Sequence, residues 1–154
     1  MKDFTNKFYC PECHQIVDKP KTNMCCGNCG TRLIFLIVEL LDVVERLIEL
    51  GLKVQSAGCM EFSHPERELF TTIVFRELYP ESLFEDIPEG WILSKSTAIR
   101  EFKDRPVLQL IHQKTGCWDS FEDKQKQLRE IATEFMEYLE LKDGIKIVLT
   151  FMNL

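Results

Sequence analysis

The sequence predicts an α+β fold: a small cysteine-rich module followed by a two-layer sandwich, in which a mainly antiparallel or mixed sheet carries two main helices. Three observations predict it. Five of the seven cysteines lie between Cys10 and Gly30. Beyond them, two stretches with polar residues at helical spacing flank several short β-branched and aromatic runs. The chain has 154 residues, 45% of them hydrophobic, enough for one packed core and a small satellite but too few for two full domains. The order helix, strands, long helix, strand favours two helices on one face of the sheet, and a ferredoxin-like variant satisfies it. The expected division is a module over residues 1–34 and an acidic α+β domain over 35–154.

The module is defined by CPECHQIVDKPKTNMCCGNCG. Cys10 and Cys13 form one CxxC unit, Cys26 and Cys29 a second, and twelve residues separate them. Four thiolates so spaced match the tetrahedral four-cysteine site of structural zinc. Gly27 and Gly30 suit the tight backbone that turns amide N–H groups toward sulfur. The pattern resembles a zinc ribbon, the rubredoxin-like module of many replication, transcription and phage proteins, over residues 8 to 33. The expected metal ligands are Cys10, Cys13, Cys26 and Cys29, and the expected cofactor is Zn2+. Iron is the competing ion, since all-thiolate tetrahedral sites suit both metals. Cys25 is the alternative to Cys26, but only Cys26 keeps the two-residue spacing to Cys29.

Other uses of these thiols fit less well. CxxC followed by His14 also spells a c-type haem attachment site, which would leave the second CxxC unexplained. A thioredoxin-like pair needs a following helix, whereas Pro20 and the polar run Lys19 to Asn23 make loop. A disulfide framework suits an oxidising compartment, and MKDFTNKFYC carries no apolar export segment.

The larger part opens with a helix expected from Phe35 to Leu50. Glu39, Asp42, Glu45, Arg46 and Glu49 recur at three and four residues, and Gly51 is its stop. LKVQSAG reads as a strand, Glu61 to Glu68 as a polar loop, and LFTTIVF as a central strand. Ile87-Pro88-Glu89-Gly90 is a turn, WILSK a third strand, and Thr97 to Gln113 is ambiguous between a strand and a strand with a short helix. Ser120 and Asp123 suit a capping box ahead of a helix bearing Phe121, Leu128, Ile131, Phe135, Tyr138 and Leu139, which runs to Gly144. IKIVLTF closes the chain as a strand.

Charge narrows the function classes. Residues 1–34 carry five basic and three acidic groups, a formal +2, and residues 35–154 carry 14 and 22, a net of −8. An acidic surface repels phosphate backbones, so nucleic-acid binding is disfavoured. The most apolar stretch, LIFLIVELLDVVERLIELGL, holds five charged residues and cannot sit in a bilayer core. The expected location is the cytoplasm.

ELGLKVQSAGC, TTIVF and LFEDIPEGWIL, within residues 35 to 95, resemble a family of small uncharacterised bacterial and phage proteins. In that family a helix ends in a Gly-x-Lys-x turn and the next strand ends near a Cys and a His. Some members carry an N-terminal zinc ribbon, and the resemblance bears on the fold more than on the chemistry. Here the Cys and His are separated as Cys59 and His64.

A second metal site could combine Cys59 and His64 with His112 and Cys117, but buried cysteines and isolated histidines more often serve packing. No GxSxG or HExxH nucleophile or zinc-protease motif is present. Glu85 with Asp86 and Glu77 with Glu81 read as solvated faces. The leading expectation is a zinc-binding, non-enzymatic protein whose partner is another protein, as a regulator or phage-related inhibitor. The alternatives are a nucleic-acid-associated zinc-ribbon factor, contacting phosphate through Lys7, Lys19, Lys21 and Arg32, and a metal-dependent hydrolase using His64 and His112.

Overall fold

The structure is a computed structural model that describes residues 3–17, 24–63, 66–100 and 103–142. Its strands are β1 (Asn6–Cys10), β2 (Gln15–Val17), β3 (Ile34–Ile37), β4 (Val54–Phe62), β5 (Glu68–Phe75), β6 (Trp91–Arg100) and β7 (Lys103–Thr115). The helices are α1 (Leu41–Glu49) and α2 (Phe121–Glu140). All seven strands form one mixed sheet in the order β2-β1-β3-β4-β5-β7-β6, with only β3 and β4 parallel. This is the expected α+β class, two helices on a mixed sheet.

Alternation along the strands sorts side chains into two faces. Leu69, Thr71, Ile73 and Phe75 of β5 point inward, opposite Ala57 and Cys59 of β4 on one side and Leu110 and His112 of β7 on the other. Both helices contribute to the core on this face, α1 through Val43, Val44 and Leu47 and α2 through Leu128, Ile131, Phe135 and Leu139. Ser120 caps α2, its Oγ accepting from the Asp123 amide at 3.1 Å, as the sequence predicts. The opposite face has no helix over it among the described residues, and Phe35, Met60, Phe62 and Ile92 are 41, 57, 42 and 53% exposed.

The structure corrects three boundaries. The helix expected from Phe35 begins at Leu41, because Ile34–Ile37 pairs as β3 with β1 and β4. In Ile34-Phe35-Leu36-Ile37 every side chain is apolar, so there is no polar stripe to mark a helix, and β-branching favours the strand. β4 runs to Phe62, shortening the expected 61–68 loop, since Met60, Glu61 and Phe62 each find a partner on β5. The ambiguous run after Thr97 lies in β6 and β7, with no helix in its described part. The expected C-terminal strand, IKIVLTF, lies outside the described residues.

The sheet runs without a break across the boundary expected at residues 34 and 35. Tyr9 pairs with Ile34 and Phe8 with Phe35. Tyr9 is 1% exposed and belongs to the main core, whereas Cys10, Cys26 and Leu33 form a separate small cluster with Phe8, Cys13 and Val17 around it. The module is therefore a satellite core whose strands are also the end of the main sheet. No helix among the described residues is long and apolar enough to cross a membrane.

Candidate metal centre

Two similar turns build the site. In the first, β1 delivers Cys10, and the chain folds back through Pro11 and Glu12 so that the Cys13 amide donates to Cys10 Sγ at 3.3 Å and the His14 amide to the Cys10 carbonyl at 2.8 Å. In the second, the Asn28 amide donates to Cys26 Sγ at 3.4 Å and the Gly30 amide to the Cys26 carbonyl at 2.9 Å. The residue after each CxxC takes a left-handed conformation, Gly30 at φ +76° and His14 at φ +56°. Glycine adopts it at no steric cost, and His14 adopts it where the matching turn requires it.

The four thiols converge. Cys10 Sγ lies 3.5 Å from Cys29 Sγ, Cys13 Sγ lies 3.6 Å from Cys29 Sγ and 3.9 Å from Cys26 Sγ, and all four sulfurs fall within 4.8 Å of one another. A disulfide would need about 2.05 Å. A tetrahedron with metal–sulfur bonds of ~2.3 Å has edges of about 3.8 Å, and the observed spacings bracket that length. The set can hold one metal ion. Cys26 is the member of the set, while Cys25 sits beside it in an antiparallel bridge with Arg32.

Local hydrogen bonding divides the thiols into two pairs. Thr31, with Oγ1 3.2 Å from Cys29 Sγ, pulls that thiol down to about 6, and the amides of Cys29 and Asn28 hold Cys26 below its ordinary value. Thiol–thiol bonding, first with Cys29, pushes Cys13 up to about 12, and burial raises Cys10. Cys29 thus offers thiolate, the ligating form, near neutral pH.

The site is anchored to the body at two places that sequence patterns do not announce. The buried Tyr9 hydroxyl donates to Glu45 Oε1 on α1 at 2.7 Å and lies 3.4 Å from His14 Nδ1 in the first turn. Arg76, just after β5, donates through Nη2 to the Leu33 carbonyl at 3.1 Å. Both contacts join residues 36 or more positions apart, with no local spacing rule to reveal them.

Among the described residues, the others singled out in sequence do not assemble into a site. Cys59 faces Thr71, whose hydroxyl lies 3.5 Å from its sulfur, and burial pushes this thiol up to about 12. His112 faces Thr71 from the other side, two strands from Cys59. It is 5% exposed, packed edge-on to Trp91, and burial lowers its pKa, with Lys114 adding to the effect. Cys117 lies beyond the end of β7 and receives Arg67 Nη1 at 3.2 Å. His64, Lys19 and Lys21 lie outside the described residues; Lys7 is exposed on β1 and Arg32 is half-buried. Among the described residues, Cys10, Cys13, Cys26 and Cys29 form the one group of three or more metal-ligating side chains close enough to share an ion.

A four-thiol cluster at the edge of an α+β sheet is the signature of a cysteine metal centre, compatible with a zinc-ribbon-like module. No family model, curated protein or solved structure matches the chain. The likeness of residues 35 to 95 to small bacterial and phage proteins therefore rests on its quoted motifs alone.

Proposed function

We propose that this is a zinc-binding, non-enzymatic protein that works by contact with another protein. The observation that carries the reading is the closed set of four thiols. An ion held by all four has no open position for substrate, so its contribution is to folding and shape. Zinc fits the donor set best, being content with four thiolates in a tetrahedron and indifferent to redox state.

The charge distribution supports a protein partner. α1 and α2 together carry nine acidic and four basic residues, a net of −5 out of the chain's −6. Such a surface steers a basic partner, including the basic channel of a nucleic-acid-binding protein, and this suits a regulator or a phage-related inhibitor. A second reading, the nucleic-acid-associated factor, draws on Arg32 and Arg76, which line a hollow of about 360 Å³ with Phe8 and Phe35. Affinity for single- and double-stranded DNA and RNA across a salt series separates the two. The protein-contact reading expects no measurable affinity at physiological salt. Tight binding that Lys19→Glu and Lys21→Glu abolish would overturn it in favour of the second.

A further inference from the structure

His112 joins no metal site, yet it lines a cleft of about 530 Å³ between α2, the end of β7 and the turn that leads into β6. The buried residues of its lining, His112 and Ile131, are 5 and 3% exposed and form the floor. The rim is charged: Glu89 on the turn, Lys114 on β7, and Glu130 and Glu134 on α2, three carboxylates against one ammonium. Glu130 and Glu134 are four residues apart, so they are neighbours on one stripe of the helix. Among the described residues none of these three carboxylates has an ion-pair partner.

Carboxylates on a helix surface are ordinary, and the floor is what sets this cleft apart. His112 is buried, but its Nδ1 has no hydrogen-bond partner. A covered polar atom without a partner costs free energy and calls for an explanation. Burial lowers the pKa of the ring, with Lys114 adding to the effect, so the imidazole is neutral at pH 7 and one nitrogen offers a lone pair. Its Nε2 edge faces Gly90, which also lines the cleft. Gly90 sits at φ +93° in a turn closed by the Trp91 amide on the Pro88 carbonyl at 3.2 Å, and a Cβ there would stand 2.6 Å from Nε2. Glycine thus leaves this edge of the ring free of any side chain. A half-turn about χ2 brings Nδ1 to the same edge, so either orientation presents one nitrogen there.

We propose that this cleft receives the guanidinium of an arginine side chain on the partner protein, an inference that rests on the protein-contact reading. The chemistry of the lining selects that occupant. Three carboxylates and a neutral imidazole supply acceptors, and a guanidinium supplies N–H donors with no acceptor of its own. A metal ion does not suit the spacing, since among the described residues only the four cysteines lie close enough to share one. A guanidinium is wider, and its planar fork bonds a carboxylate with one edge and the imidazole with another, whereas a lysine ammonium is a compact point charge. Ile131 gives the methylene stem an apolar surface to lie along. The net acidity of α2 steers a basic partner to this side of the molecule.

The test is NMR titration of the full metal-loaded chain with acetyl-arginine amide, beside acetyl-citrulline amide, acetyl-lysine amide and free arginine, each to about 50 mM. The arginine compound is expected to give saturable shifts at His112, Glu130 and Glu134 with a millimolar dissociation constant. The lysine compound should bind at least about fivefold more weakly, and the uncharged citrulline isostere should not bind. Glu130→Gln and Glu134→Gln, both on the exposed side of α2, should each weaken binding about threefold. His112→Phe keeps a ring against Trp91 and should weaken it about tenfold, while Lys114→Ala, which removes the one repelling charge, should strengthen it about twofold. Absence of saturable shifts at the cleft, equal binding of citrulline or lysine, or arginine binding that neither glutamine variant weakens overturns the proposal. Free arginine bound more than about tenfold tighter than the capped form would assign the cleft to a small molecule and overturns it too. The protein-contact reading fails separately, on tight nucleic-acid binding.

Discussion

Replacing Tyr9 by Phe tests whether the metal module and the body are one cooperative structure. The substitution keeps the ring, which is 1% exposed, and removes only the hydroxyl that donates to Glu45 Oε1 at 2.7 Å. A hydrogen bond to a charged group contributes about 1.5–3 kcal/mol. Glu45 is half-buried and can recover water, which points to the low end, about 1.5 kcal/mol. For a chain of this length that corresponds to a fall of roughly 3–6 °C in melting temperature. By contrast, Tyr9→Ala would also empty ring volume in the core and cost about 3–5 kcal/mol. The assay is urea unfolding of metal-loaded wild type, Tyr9→Phe, Glu45→Gln and the double variant. The account expects one transition and a coupling energy of about 1 kcal/mol between the two positions. Additivity within about 0.5 kcal/mol would refute the claim that this bond ties the module to α1.

Four further outcomes are expected. Glu61 is the shared partner of buried Lys124, 3.8 Å away, and of Arg67, 2.9 Å away, so Glu61→Ala should cost about 3–5 kcal/mol by chemical denaturation. Asp3→Ala, which removes an exposed partner of the same lysine, should cost under about 1 kcal/mol. Because burial depresses the His112 pKa, the unfolded chain takes up this proton more readily than the folded one. Stability should therefore be fully present above about pH 6.5 and decline as pH falls below it, with a shallower decline in His112→Gln measured over the same series. Chelation should strip amide-exchange protection from the two cysteine turns while β5, β7 and α2 keep theirs, since those elements share the main core. Global loss of protection would show that the whole fold depends on the ion.

What could be read in the sequence followed from local rules. The paired CxxC spacing located the thiol cluster because zinc-type turns are short and self-contained. The Ser120 cap and the apolar recurrence after it defined α2. β5 was legible from its β-branched and aromatic composition. The misreadings arose where tertiary pairing overrode local pattern. Ile34–Ile37 looks helical because the stripe that begins at Glu39 follows it directly, yet the chain bends at Val38–Leu40 and the first four residues join the sheet. The incorporation of β1 into that sheet was not legible, since NKFYC alternates weakly and its partner lies beyond the cysteine loop. Net charge was the most misleading quantity. It is a bulk value that does not map the surface: nine of the 25 acidic residues lie on α1 and α2 and the rest are spread along the chain.

The central claim, one ion held by Cys10, Cys13, Cys26 and Cys29, is tested most directly by metal analysis with X-ray absorption at the metal edge. Wild type, Cys25→Ser, Cys26→Ser and Cys29→Ser are compared. The account predicts one zinc per chain in a shell of four sulfurs at ~2.3 Å, retained in Cys25→Ser and lost or much weakened in the other two variants. A shell containing nitrogen, or full metal in Cys26→Ser with loss in Cys25→Ser, would contradict it.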